Sequence, residues 1–214
     1  MKKFTTKKII TECRDIADLA EKGFTDTLIA ILDRRNDINF VNGDGFNLLH
    51  IASKTGNIKL AKYLLDKGVD VNAVSEDGYK GFSLMYAVRS RNAKMVRLLL
   101  DYGADVSKAD LLGCNSLEYL CKIANKPVNK NIRKDMVEIT NILSKRIIIK
   151  NKYGLKMSIT ILSIYSKKGC ETSRQMVDIL MKNLYQQQEI ERREKEKVDN
   201  MMKTFNEENG VIFK

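Results

Sequence analysis

Apolar residues recur along the chain in short blocks with helical spacing. Leu60, Tyr63, Leu64 and Leu65 fall on one helical face at i, i+3 and i+4 spacing, and Val96, Leu99 and Leu100 do the same. Each block closes on a glycine, Gly68 or Gly103, where a helix ends in the left-handed backbone that glycine supplies most cheaply. The blocks also return at a fixed distance. Gly23–Leu32 aligns with Gly56–Leu65 at an offset of 33, and both are followed by the same ending, Asn36-Asp37-Ile38-Asn39 and Val69-Asp70-Val71-Asn72. A third copy contains Met95–Val106. Gly68 and Gly103 stand 35 apart, so two residues are inserted, and the Gly78-Tyr79-Lys80-Gly81 turn is the expected place.

A period near 33 with two helical stretches per period is the mark of a stacked repeat. Gly45-Phe46-Asn47-Leu48-Leu49-His50-Ile51-Ala52 resembles the ankyrin-repeat pattern G-x-T-P-L-H-x-A, with Asn47-Leu48 in place of Thr-Pro. Leu64-Leu65-Asp66-Lys67-Gly68-Val69-Asp70-Val71-Asn72-Ala73 resembles L-L-x-x-G-A-D-V-N-A, and the resemblance extends over residues 12–122. It implies an all-α solenoid of about four to five helix-turn-helix repeats with a charged C-terminal helix. No pair buries its apolar face alone, whereas stacked neighbours bury a continuous core.

Past Cys121 the pattern loosens. Asp110–Leu117 fits the turn of a fourth repeat, whose first helix is expected to end near Asn125. Pro127–Asn131 reads as an inserted loop, and Met136–Leu143 as the second helix. A capping fifth repeat is expected from a turn at Asn151–Gly154 and helices over Met157–Lys167 and Thr172–Leu184. This divides the chain into a repeat domain, 1–185, and a charged helical extension and tail, 186–214. In the extension, Ile190, Val198, Met201, Met202 and Phe205 form a sparse stripe. It reads either as part of a solvated helix or as a partner-binding or self-associating one.

Composition narrows the chemistry. The 214 residues are 43% hydrophobic and 30% charged, enough apolar material for a core. There is one proline, Pro127, and no tryptophan. No apolar run approaches the roughly 18 residues of a membrane helix, and no apolar stretch follows the basic start Met1–Lys8 as a secretory signal would require. A cytoplasmic protein, or one delivered into a host cell, is expected. Cys13, Cys114, Cys121 and Cys170 form no C-x-x-C pair, and the single histidine, His50, leaves no zinc-ligand spacing. No phosphate loop, G-x-G-x-x-G or G-x-S-x-G occurs. The expectation is a non-enzymatic monomer without cofactor or metal. Asp44, Asp77 and Asp110, each near a turn glycine, read as turn residues rather than a catalytic carboxylate set.

The net charge is +11, of which residues 110–185 carry +8. Lys122, Lys126, Lys130, Arg133, Lys134, Lys145, Arg146, Lys150, Lys152 and Lys156 supply most of it. Two readings stay open: a polyanion-binding surface over residues 122–156, or a lysine-rich composition, with 27 lysines against 11 arginines. Aromatic residues for base stacking are few there: Tyr119, Tyr153 and Tyr165.

The resemblance places binding on turn tips and inner helices and implies a protein partner, with an acidic surface suiting the basic half. By position it implicates Asp44, Phe46 and Lys54 in the second repeat. In the third it implicates Asp77, Tyr79, Lys80 and Arg89. In the fourth it implicates Leu111, Leu112, Cys114 and Lys122. Tyr79, Phe46 and Phe82 are of the type that anchors interfaces. His50 occupies the position whose ring ties one repeat to the next.

Overall fold

The computed structural model describes residues 16–35, 38–124, 130–150, 159, 162–163 and 170–209. Helices follow one another in pairs: α1 (Ile16–Glu21) with α2 (Thr25–Arg35), α3 (Leu48–Thr55) with α4 (Ile58–Asp66), α5 (Ser83–Arg89) with α6 (Ala93–Asp101), and α7 (Ser116–Ile123) with α8 (Lys130–Lys150). The last helix, α9, runs over Glu171–Asn209. First helices stack on first helices, α1 on α3 on α5 on α7, and second on second, α2 on α4 on α6 on α8, with α9 against α8. The result is an all-α solenoid with an inner and an outer row. Among the described residues no strand forms.

The apolar blocks become the seams of this stack. On α4 the buried residues are Leu60, Ala61, Leu64 and Leu65, and on α6 they are Ala93, Met95, Val96, Leu99 and Leu100. The inner helices have neighbours on more sides, so they are buried almost whole: every residue from Leu48 to Ser53 and from Ser83 to Val88 is buried. Gly68 and Gly103 take φ of 85° and 86° after their helices, as the sequence predicts. The inserted loop around Pro127, the turn at 151–154 and most of Met157–Lys167 lie outside the described residues. Three residues of that last stretch, Ile159, Leu162 and Ser163, are described, and Leu162 is buried.

Asparagines start most of these helices. Asn57 and Asn92 accept from the N–H groups of Leu60 and Met95. Asn47 and Asn115 do the same for His50 and Glu118, whose side chains return the bond to the cap backbone. His50 also reaches the next repeat, since Asn47 N–H donates to its Nδ1 at 3.2 Å and its Nε2 lies 3.0 Å from the Ala73 carbonyl. Those partners require a neutral ring with its proton on Nε2. Burial holds its pKa below the ordinary 6.5, despite the raising influence of Ala73 and Asp77.

The outer row is tied by side chains that cross between repeats. Asp26 pairs with Lys59, Tyr63 donates to Asp33 at 2.7 Å, Tyr102 donates to Asp66, and Arg97 holds Glu138 at 2.8 Å. The α9 helix runs unbroken through the boundary expected at 185. After Asn183 none of its described residues is buried, and Ile190, Val198, Met201 and Met202 are exposed. Glu189, held down to about 2 by Arg192 and Arg193, sits in an ion network that also includes Glu196. Local pairs of this kind support a helix in water.

One expectation needs correcting. Isolated bridges close the three turns at Val41–Asn47, Val74–Phe82 and Ala109–Asn115, so the middle turn is two residues longer. The extra pair is Ser75-Glu76, not part of Gly78–Gly81. In all three turns one side chain accepts the N–H groups two and four residues on. It is Asn42 for Asp44 and Phe46, Asp77 for Tyr79 and Gly81, and Asp110 for Leu112 and Cys114. The equivalents are therefore Asn42, Asp77 and Asp110. Asp44, grouped with Asp77 and Asp110 as a turn residue near glycine, stands two residues past the equivalent position.

Replacing His50 with alanine leaves the Asn47 N–H and the Ala73 carbonyl without partners, and urea unfolding should show a loss of about 2 kcal/mol. The native pKa is depressed, so the His50 contribution is full above pH 6.5 and is lost as pH falls below it. The stability gap between wild type and His50→Ala should therefore narrow on acidification below that value.

Candidate functional site

A pocket of about 270 Å³ opens between the third and fourth turns, on the face formed by the turns and the inner helices. Its walls come from Asp77, Tyr79, Gly81, Met85, Tyr86, Arg89, Asp110, Leu112, Cys114, Tyr119 and Lys122. Of the residues expected from the sequence, it gathers Asp77, Tyr79, Arg89, Leu112, Cys114 and Lys122. Asp44, Phe46, Lys54, Lys80 and Leu111 lie outside it. Phe82, considered as an anchor, is 9% exposed and has the Lys108 ammonium 5.1 Å above its ring.

The pocket follows from how the lengthened turn is held. Tyr86 on α5 donates its hydroxyl hydrogen to Asp77 Oδ2 at 2.9 Å, and Ser75 Oγ lies 2.9 Å from the same hydroxyl. Ser75 donates to Asp77 Oδ1 at 2.6 Å. Burial pushes the Asp77 carboxyl up. Bonds from Ser75, Tyr86 and the N–H groups of Tyr79 and Gly81 outweigh it and hold the pKa below the ordinary 3.8. Burial, reinforced by the bond to Asp77, pushes Tyr86 up to about 12. The carboxylate is ionised but fully occupied by the turn. A Cβ on Gly81 would meet the Tyr86 hydroxyl oxygen at 2.6 Å, so this position must be glycine while the phenol stays where it is. Lys80 sits at φ 50° where the other two turns have Gly45 and Gly113, and it projects from the turn without lining the pocket.

The inner helices add a periodic feature. Lys54, Arg89 and Lys122 occupy the last turns of α3, α5 and α7. In the second repeat the cation rests on the residue that leaves the turn, with Lys54 Nζ 5.4 Å from the Phe46 ring centre. In the fourth, Lys122 Nζ donates to Cys114 Sγ at 2.6 Å, which keeps the ammonium's pKa above the ordinary 10.5. In the third repeat the equivalent residue is Gly81, so Arg89 has nothing there to rest on. It makes no hydrogen bond or ion pair among the described residues. The Tyr86 phenol takes the place of that side chain, and the pocket opens beside it.

The aromatic lining was less visible in advance. Tyr86 and Tyr119 stand 33 apart at the same position of α5 and α7, a recurrence the sequence contains but apolar pattern alone does not separate from core. The Tyr86 ring packs edge-on against Phe46, at 5.3 Å between centres, and against His50 at 5.5 Å. Tyr79, Leu111 and Leu112 are 63%, 65% and 71% exposed, and the Leu111 N–H donates to the Tyr79 carbonyl at 3.0 Å, so the two tips form one apolar rim.

Of the basic set of the last repeats, two members have contacts among the described residues. Arg146 lies 3.9 Å from Asp101, and Lys122 belongs to the pocket. The side chains of Lys126, Lys130, Lys150, Lys152 and Lys156 lie outside the described residues, as do Tyr153 and Tyr165. Among the described residues no three His, Cys, Asp or Glu side chains are grouped as metal ligands, and no helix is long and apolar enough to cross a membrane.

The architecture is that of a helical-repeat protein whose rigid inner face carries one apolar, cation-edged pocket. Residues 16–110 match the sequence model of ankyrin repeats in 3 copies, and this part of the chain belongs to the ankyrin-repeat family. Helices α7 to α9 continue the same stacking beyond the matched residues. The chain is also 39% identical over 69 residues to the E3 ubiquitin-protein ligase hecd-1 of Caenorhabditis elegans. That covers 32% of this chain and 2% of the ligase.

Changing Tyr86 to Phe strips the Asp77 carboxylate of its phenol donor and should cost about 1–2 kcal/mol in urea unfolding. The Tyr86 contribution is full below pH 10.0 and is lost as pH rises towards 12. The wild-type advantage over Tyr86→Phe should accordingly shrink across that alkaline window.

Proposed function

We propose that the chain is a non-enzymatic binding module that recognises a partner protein through the inner face of its repeat stack, centred on the pocket between the third and fourth turns. Ankyrin repeats are in general protein–protein interaction modules. The observation that carries the finer reading is the exposed rim of Tyr79, Leu111 and Leu112 beside an apolar pocket whose floor is already fixed. An exposed apolar patch edged by polar groups costs solubility unless something covers it. Aromatic anchors with an arginine beside them are the residue types that dominate interface energies.

The pocket needs little ordering before it binds. Its turn is held by the Ser75–Asp77–Tyr86 bonds and its helices by the core, so a partner would meet a pre-formed surface. The role suits a regulator, an inhibitor or a host-directed effector equally well. The basic surface over residues 122–156 keeps a second reading in view, that of polyanion binding. Steep loss of nucleic-acid affinity with salt would support it. The pocket's apolar rim favours the protein partner.

Affinity purification from the native source with the full chain as bait tests the placement. The double variant Tyr79→Ala, Leu112→Ala should lose at least about tenfold in recovery of the principal partner. Lys62→Ala on the outer row should recover it normally. Equal recovery by both variants would remove the site from the inner face.

A further inference from the structure

We infer that the segment bound at this pocket is acidic and carries one large apolar side chain: the apolar side chain enters between Tyr79 and Leu112, and its carboxylates lie along the cations of the inner helices. This rests on the reading of the pocket as a partner-binding site and goes beyond it by fixing the chemistry of the occupant.

Asp77 accepts from Ser75, from Tyr86 and from two backbone N–H groups, so its charge is spent on its own turn. Asp110 Oδ1 accepts from the N–H groups of Leu112 and Cys114 in the same way. At Asp110 the bonds to N–H groups fall on Oδ1 alone, so a basic partner would compete chiefly at Asp77. Among the cations, Lys122 is engaged by Cys114 and attracted by Asp110 and Glu118, and Arg89 is the less engaged. Arg89 is exposed and free of hydrogen bonds and ion pairs among the described residues. Lys122 spends one N–H on Cys114 and keeps two more, with the ammonium firmly charged.

Periodicity extends the site. Lys54, Arg89 and Lys122 come one per repeat from equivalent turns of α3, α5 and α7, so they form a row across the stack rather than a cluster. A row fits a chain segment crossing the repeats better than it fits a single small anion. Arginine's planar fork pairs a carboxylate through two bonds. Arg89 and Lys122 both line the open pocket, and its apolar walls are Tyr79, Met85, Tyr86, Leu112 and Tyr119. An apolar side chain is the group such walls accept without stranding a polar atom. The two features sit together because Gly81 offers Arg89 no side chain to rest on, and both residues line the pocket.

The test is a random 12-residue peptide library displayed on phage and panned against the full chain. Selected peptides are then synthesised and measured by fluorescence anisotropy. The expected result is a consensus of one aromatic or large aliphatic residue with two or more Asp or Glu nearby. Arg89→Ala should weaken its binding three- to tenfold, and Arg89→Glu should restore affinity to peptides in which the nearest Asp or Glu is changed to Lys. A neutral or basic consensus whose binding still collapses in Tyr79→Ala, Leu112→Ala would overturn the acidic occupant and leave the pocket as the site. Peptides whose binding is unmoved by that double variant would overturn both. Circular dichroism of each variant guards against loss of folding. Should Arg89→Glu fail to fold, the salt dependence of wild-type binding replaces it, with a flat response counting against the inference.

Discussion

The hydroxyl of Tyr86 holds the third turn against the helix that follows it, and the shape of the inner face depends on that bond. The turn is two residues longer than its neighbours and ends in Phe82, which offers the helix no side-chain cap. Left to itself such a turn would be free to move. The phenol substitutes for the missing cap by gripping Asp77 and Ser75 from within the helix. The grip has a steric consequence, since no side chain fits at residue 81 beside that oxygen. The phenol takes the place that the second repeat gives to a phenyl ring and the fourth to a thiol, and the pocket opens beside it.

Around this point the stack divides its labour. The outer row and the inner helices supply rigidity, through apolar seams and through bonds such as His50 to Ala73 that bind each repeat to the next. The turns and the last turns of the inner helices supply variation. Electrostatics follows the same division. On the outer row charges meet partners across repeats. On the inner face Asp77 and Asp110 accept from N–H groups of their own turns, beside the cations Arg89 and Lys122.

Much of this was legible in the chain. The period of 33, the glycines after each outer helix and the apolar blocks specify helix pairs and their stacking, because a helix end and a buried face each demand particular residue types. The extra length in the third repeat was also plain from Gly68 and Gly103. Its location was not. Spacing counts residues but does not say which side chain accepts the turn's N–H groups, so Asp44 stood in for Asn42. The candidate site was legible in part: Tyr79, Arg89, Leu112 and Lys122 follow from repeat position, whereas Tyr86 and Gly81 matter through a contact between turn and helix that no local pattern encodes. The unbroken α9 helix shows a related limit. A change from apolar to charged composition near residue 185 marks where burial stops, and the backbone continues through it.

The central claim is that the pocket under Tyr86 is where a partner is held. A photo-reactive benzophenone side chain in place of Leu112, with another in place of Lys62 on the outer row, tests it most directly in the native setting. Irradiation followed by mass spectrometry of the adducts should give a protein cross-link from position 112, joined within or beside an acidic stretch of the partner. No such adduct should form from position 62. Cross-links from position 62 alone, or from position 112 into segments without acidic residues, would contradict the account.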